Sequence, residues 1–364
     1  MKKLIPLGLL LVLVLYAGAM QAQRQRYYPF FQQEWFFGNL PSARTEAMGR
    51  ADVAVGGTLS SMYYNPAGIG EIEQWEATFS TSAPYYALTE SDYYFAGYAR
   101  RINEKLVAAI SLNQFAVGPT TFEVDIEGAN FPVDKPTVNN LAITAAYEPI
   151  DQLQIGINAN LFSWKLFDGV AASISPIIDV GALYTLPLSN GSHLRFGAAV
   201  VNASYSTITF SSPINTESTS PFPVVARAGV SYQKDTEINI PGAGAQPLTL
   251  LVTTEIQDLF NNEYRNAFRL GGELVFARVL ALRLGYFTIT ENDFGFSANL
   301  SRVNDFTYGF GAIIPVNEIS QGKLPLTLHI DYMSLENPPV NSFVPRSQNK
   351  RAFSFRVVAP LSAK

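Results

Sequence analysis

Cysteine is missing altogether from this chain of 364 residues, and histidine occurs only twice. The first absence excludes disulfides, thiolate metal sites, cysteine nucleophiles and an N-terminal lipoprotein cysteine. The second leaves too little imidazole for a metal cluster or a Ser-His-Asp set, so no metal, no cofactor and no enzymatic activity is expected. Charge is scarce as well: Asp, Glu, Lys and Arg make up 15% of the residues, where soluble domains run near ~25%. A formal net charge of −5 argues against nucleic acid as a partner, because phosphate backbones call for basic patches. Beyond the N-terminus no stretch reaches the ~18 consecutive apolar residues of a spanning helix. What is abundant is apolar, 48% of the chain, with 25 Phe and 18 Tyr. That composition is incompatible with disorder. Few charges, many aromatics and no apolar helix together predict a β-barrel that crosses a membrane with strands.

The N-terminus sets the compartment. Lys2 and Lys3 precede an apolar run from Leu4 to Tyr16, and the small-residue sites Ala17-Gly18-Ala19 and Gln21-Ala22-Gln23 follow. This is the pattern of a secretory signal peptide, residues 1–22, cut after Ala19 or Ala22. Residues 23–75 then form an N-terminal segment of their own, and 76–364 the barrel. The expected location is the outer membrane of a Gram-negative bacterium, with its lipid as the first partner.

Strand after strand alternates at period two. Leu153, Ile155, Ile157, Ala159 and Leu161 alternate with Gln154, Gly156, Asn158 and Asn160. Phe268, Leu270, Leu274 and Phe276 share a face opposite Arg269, Gly271 and Glu273, and Leu280, Leu282, Leu284 and Tyr286 oppose Arg283. An Arg facing lipid at the bilayer midplane costs about 2–4 kcal/mol. Arg195, Arg227, Arg269, Arg283 and Arg356 all fall on polar faces, so those faces line the lumen, together with Glu273, His329 and Asp331. A soluble sandwich would bury the opposite face; the signal peptide, strand length and aromatic load favour the barrel. Fifteen strand-like runs are visible, and placing 293–300 in an outer loop restores the even number that such barrels require. The prediction is an all-β, transmembrane antiparallel β-barrel of about 14 strands, with a rather long periplasmic turn at 233–247.

Residues 23–75 do not read as strands. Trp35, Phe36 and Phe37, with Tyr27-Tyr28-Pro29-Phe30-Phe31, are too aromatic for a free periplasmic tail, and a short helix is expected to start at Ser42. Fourteen strands enclose a lumen too wide to be filled by wall side chains alone. The segment is therefore expected to fold into the lumen as a plug or hatch, its aromatics packed on an apolar patch. Asn65-Pro66 is a turn signal, since Pro fixes φ and drives its predecessor out of the helical region. With Ala67 and Gly68 it reads as a hatch motif, structural or gating, an elbow between plug and wall in preference to a direct ligand contact.

The run Ala47-Met48-Gly49-Arg50-Ala51-Asp52-Val53-Ala54, followed by Ser61-Met62-Tyr63-Tyr64-Asn65-Pro66-Ala67-Gly68-Ile69-Gly70, resembles the start of FadL-like outer-membrane proteins. Within that group it is most similar to the PorV/PorQ branch. The endings are also similar, with His329-Ile330-Asp331-Tyr332, a loop, then Phe353-Ser354-Phe355. The specific motif covers about 43–70; the rest is likeness of layout. Many outer-membrane barrels end on an aromatic residue of the last strand, whereas this chain continues through Pro360 to Lys364. The resemblance implies that Asn-Pro-Ala-Gly ends a hatch and leads into the first strand.

Catalytic patterns are weak. His329 and Asp331 are spaced like a base and its orienting partner, yet a lumen network with the nearby arginines explains them better. Pro241-Gly242-Ala243-Gly244 lacks the Lys and helix of a phosphate loop. The lumenal arginines and glutamates suit either an ion-selective constriction or, more simply, cross-braces to a plug. Two functions follow from the resemblance. The PorV/PorQ likeness implies a non-enzymatic barrel of type IX protein secretion, with the translocon and cargo C-terminal domains as partners. The wider FadL likeness implies a channel for fatty acids or other hydrophobic small molecules, with an apolar pocket inside and a plug that shifts to release ligand through the wall.

Overall fold

The structure is a computed structural model and describes residues 41–82, 92–116, 121–126, 129–134, 137–167, 170–174, 176–211, 217–221, 224–241, 244–257, 265–292, 300–335 and 350–359. The signal peptide and the aromatics Trp35, Phe36 and Phe37 lie outside the described residues.

Fourteen strands form the wall: β1 (Trp75–Ser82), β2 (Asp92–Asn103), β3 (Leu106–Ala116), β4 (Thr137–Ile150), β5 (Leu153–Phe167), β6 (Ile177–Pro187), β7 (Ser192–Val201), β8 (Val225–Ile240), β9 (Gly244–Gln257), β10 (Arg265–Phe276), β11 (Leu280–Asn292), β12 (Leu300–Ile314), β13 (Thr327–Leu335) and β14 (Lys350–Ala359). Each pairs antiparallel with the next, and β1 pairs with β14 from Trp75↔Ala359 to Ser82↔Ala352, which closes the ring. In hydrocarbon every backbone N–H and C=O must be satisfied within the protein, and closure is how a sheet achieves this. Short strands at Val170–Ile174, Thr207–Ser211 and Glu217–Pro221 extend the sheet beyond the wall, and Thr121–Ile126 pairs with Ala129–Asp134 as a separate hairpin.

The connections sort by length. Turns after β2, β4, β6, β8 and β10 are tight, while the segments after β3, β7 and β13 are long. Short turns belong to the periplasmic side of such barrels, and the start of β1 and the end of β14 share that side. Three expected boundaries move. The 233–247 connection is no long turn, because β8 continues to Ile240 and β9 starts at Gly244. The run expected as one strand over 173–185 divides, its first part joining the outer sheet and its remainder forming β6. Of the 293–300 run, Leu300 opens β12 and 293–299 lie outside the described residues.

Alternation sets the two faces. Leu284 is 71% exposed and Arg283 beside it 3%. Exposed rings pair along the outer surface of β11 to β14: Tyr286 with Phe306 at 5.0 Å, Phe310 with Tyr332 at 5.1 Å and Tyr332 with Phe353 at 5.0 Å. These apolar side chains cover the lipid face, and the polar residues of the same strands turn inward.

A charge on the outer face near mid-strand tests this assignment. Leu270→Arg should lose about 2–4 kcal/mol of assembly stability and deplete the heat-modifiable folded band in gels, whereas Leu270→Phe should assemble normally. Equal folded yield for both would contradict the lipid-facing placement.

Candidate functional site: the plug and its seat

Residues 42–74 circle the lumen and contact nearly the whole wall. Ser42 caps a one-turn helix, α1 (Ala43–Ala47), its Oγ accepting from Thr45 N at 3.2 Å. This helix packs on β11 to β14. It ends at Gly49, whose positive φ of 65° suits a residue without a side chain. Two 3-10 turns follow, Leu59–Tyr63 against β1 and β2, and Pro66–Glu71 against β3 to β6.

Glycine in the wall makes this seat possible. Gly156, Gly181, Gly197, Gly271, Gly285 and Gly309 all point inward at the level of the plug. A methyl at Gly156 would overlap the Pro66–Ala67 peptide, and one at Gly197 the carbonyl of Val53. At Gly285 it would meet Gly49 N, and at Gly309 it would lie 2.6 Å from Ala47 Cβ. Glycine inside a strand marks close backbone approach; here plug and wall backbones touch through the missing side chains.

Polar wall side chains then hold the plug backbone. Glu255 accepts from Asp52 N and Val53 N, both at 3.0 Å, and pairs with Arg269 at 2.7 Å. Thr307 Oγ1 accepts from Gly49 N and donates to Ala47 O, each at 2.9 Å. Ser231 donates to Ala54 O at 2.7 Å. Arg195 donates to Val55 O at 2.9 Å and pairs with Glu71 at 3.1 Å. Arg227 donates to Tyr63 O at 3.2 Å and lies over the Tyr64 ring at 5.4 Å. Hydrogen bonds to charged groups contribute about 1.5–3 kcal/mol each, and desolvated pairs of this kind tolerate no missing partner.

Glu273 receives both Arg44, bidentate at 2.7 and 2.9 Å, and Arg283 at 2.6 Å. Arg283 continues to Asp331 at 2.8 Å, and Arg356 reaches Asp331 at 3.5 Å and Glu76 at 3.8 Å. His329 Nδ1 faces Arg356 Nη2 at 3.1 Å. His329 and Asp331 are thus each engaged by arginine, in a lumenal network and not as a base with its orienting carboxylate. On the periplasmic side this network lines a cavity of about 250 Å³, with Arg44, Glu71, Arg195 and Glu273 among its walls.

Asn65 ties the elbow. Its Oδ1 accepts from Ala67 N at 3.1 Å, while Nδ2 donates to Val53 O at 2.8 Å and to Ala182 O of β6 at 2.9 Å. One side chain thereby fixes two plug segments and the wall. Pro66 opens the 3-10 turn, and Gly68 leaves room for Ser61, whose Cβ would lie 2.9 Å from an added methyl. Facing β2 to β4 the plug is different in kind: Leu59, Met62, Ile69 and Ile72 pack with Tyr93, Phe95, Ala99, Val107, Ala109, Phe115, Val138, Ala142 and Ala146 in one apolar cluster.

Several of these residues escape sequence reasoning. Glu255, Glu76 and Thr307 sit on polar faces without standing out from neighbours. The inward glycines carry a readable signal, since each interrupts a strand at a lumenal position, but the significance emerges only when the strands are aligned.

The chain matches no protein-family model and no curated protein. A solved structure shares its fold. A FadL homologue of Pseudomonas aeruginosa superposes with a TM-score of 0.52 at 9% identity, over 88% of this chain and 98% of that one. The CymD monoaromatic hydrocarbon channel gives 0.47 at 12% identity, over 89% and 98%. The Pseudomonas putida toluene transporter TodX gives 0.45 at 11%, over 87% and 96%. At such identities the likeness is one of architecture: this is a FadL-like barrel fold.

The seat predicts an asymmetry between two kinds of glycine. Gly285→Ala should unseat the plug and lower the temperature at which the folded band disappears, because the added methyl has no room. Gly272→Ala, whose nearest neighbour would be Leu251 O at 3.8 Å, should match wild type. Equal stability of the two variants would contradict the close packing.

Proposed function

We propose that the protein is a non-enzymatic outer-membrane channel of the FadL type, admitting fatty acids or other hydrophobic small molecules. The observation that carries this reading is the character of the lumen. The plug is anchored around the ring by backbone contacts and buried charge pairs, which is no design for an open aqueous pore, and its remaining face is apolar. A site for an apolar ligand is expected to be concave and mostly hydrophobic with a few polar groups to orient it, and the side toward β2 to β4 has that composition. The FadL-like architecture supports the same reading. The type IX secretion reading, with translocon and cargo domains as partners, rests on the resemblance at 43–70 and gains nothing from the fold comparisons.

Growth and uptake separate the two. A strain lacking the protein should take up a long-chain fatty acid or an aromatic hydrocarbon more slowly than its parent and still export C-terminal-signal cargo. Normal uptake with failed export would replace the channel reading by the secretion reading. In planar bilayers the intact protein should show little steady ion conductance. A constitutively open, salt-conducting pore would contradict a lumen closed by the plug.

A further inference from the structure

The plug is attached unequally, and the inequality marks a path. From β5 through β14 the plug meets the wall by backbone-on-glycine contact, hydrogen bonds and ion pairs, interleaved with small apolar clusters such as Met48 and Val55 on Leu251. Parting those contacts would expose buried charges and amides without partners, which is costly. Against β2, β3 and β4 the contact is an apolar seam, and apolar contact is non-directional. A ligand of the same chemistry replaces it with little penalty.

The seam runs the depth of the wall. Tyr93, Phe95, Phe115 and Val138 lie in its outer half, and Ala99, Val107, Ala109 and Ala146 in its periplasmic half. The periplasmic half is lined chiefly by small side chains. Polar groups punctuate it at two levels, and the buried Ser111, Asn140 and Thr144 also face inward there. In the outer half the Tyr63 hydroxyl lies 3.0 Å from Ser111 Oγ and 3.4 Å from Asn140 Nδ2. At the periplasmic end Arg101 of β2 donates to Gly70 O at 2.6 Å and to Ile72 O and Glu73 O, each at 3.0 Å. Along β2, β3 and β4 the strand ladders are continuous, apart from a bulge at Arg101–Asn103 and another at the periplasmic end of β4. Among the described residues these ladders leave no gap between β2, β3 and β4 through which a ligand would leave sideways.

We propose that an apolar ligand, an acyl chain or a single aromatic ring, crosses along the seam between the plug and β2 to β4, with Tyr63 as the outer latch and Arg101 as the periplasmic latch. This rests on the channel reading above and replaces release through the wall by passage inside it. The carbonyls that Arg101 holds belong to the plug's last turn and exit strand, so releasing that one side chain frees the seam's lower end while the anchors on β5 to β14 stay in place.

The test uses full-length protein in cells and measures uptake of a radiolabelled long-chain fatty acid. Ala142→Phe fills the seam and should slow protein-dependent uptake by roughly tenfold or more, because overpacking a close-fitted site costs of the order of one such factor. Leu141→Phe, its neighbour in β4, should leave uptake unchanged, and Arg101→Met should raise it. Folded yield is read from heat-modifiable mobility. Should Ala142→Phe fail to assemble, photolabelling of the wild-type protein with a diazirine-bearing fatty acid decides the matter. Labelling that unlabelled fatty acid competes away should map to 59–72 and to the inward residues of 97–111 and 138–146. Competed labelling confined to the charged side, or protein-dependent uptake that Ala142→Phe leaves intact, overturns the seam while the channel reading stands. Uptake by wild type no faster than by the deletion strain overturns the channel reading itself.

Discussion

A ring of fourteen strands encloses more volume than its own side chains fill, and the protein meets that constraint with its own backbone. Once closure has satisfied the wall's hydrogen bonds, the interior still needs packing and polar partners. Residues 42–74 supply both. Their backbone approaches the wall closely because Gly156, Gly197 and Gly285 lack side chains, and their exposed amides find acceptors in Glu255 and Thr307. The inward arginines, costly on the lipid face, become useful in the lumen, where Arg195, Arg227 and Arg269 engage plug carbonyls, a plug ring and a wall glutamate.

Attachment by different chemistries gives the plug two sides. Charge pairs and hydrogen bonds have direction and do not tolerate a missing partner, so the region from β5 to β14 behaves as an anchor. Apolar packing has no direction, so the region from β2 to β4 can exchange one apolar neighbour for another. Asn65 stands at the junction of the two regimes, with β6 on one side and Val53 within the plug on the other. The turn that Asn65-Pro66 enforces is what brings Ile69 and Ile72 across to the apolar side.

Much of this was legible in the order of residues. Period-two alternation with arginines on one face located the wall strands and their inner surface, because a lipid-facing charge is expensive near the middle of a strand. Parity, with both ends of the barrel on one side, placed the fourteen strands. Strand ends were harder: Gln233 to Glu237 are polar on both faces, and a strand that leaves the membrane loses the alternation that reveals it. Ser42 as a cap and Asn65 as an elbow were legible because capping and turn chemistry are local. The partners of Glu255, Glu273 and Arg101 were not, since each depends on which segments meet across the lumen, information that no local pattern carries. Function was not legible for a related reason. A short motif in the plug describes how the plug turns, and the turn serves barrels of different purpose equally well.

Hydrogen exchange on the intact barrel in lipid nanodiscs addresses the central claim directly, that the plug is an integral filling of the lumen. The amides of Gly49, Asp52, Val53 and Leu59, each bonded to a wall side chain, should exchange as slowly as amides within the β8–β9 ladder. Exchange of those four amides at the rate of the loops, while the ladder stays protected, would show a plug that rests loosely in the barrel and would contradict the account.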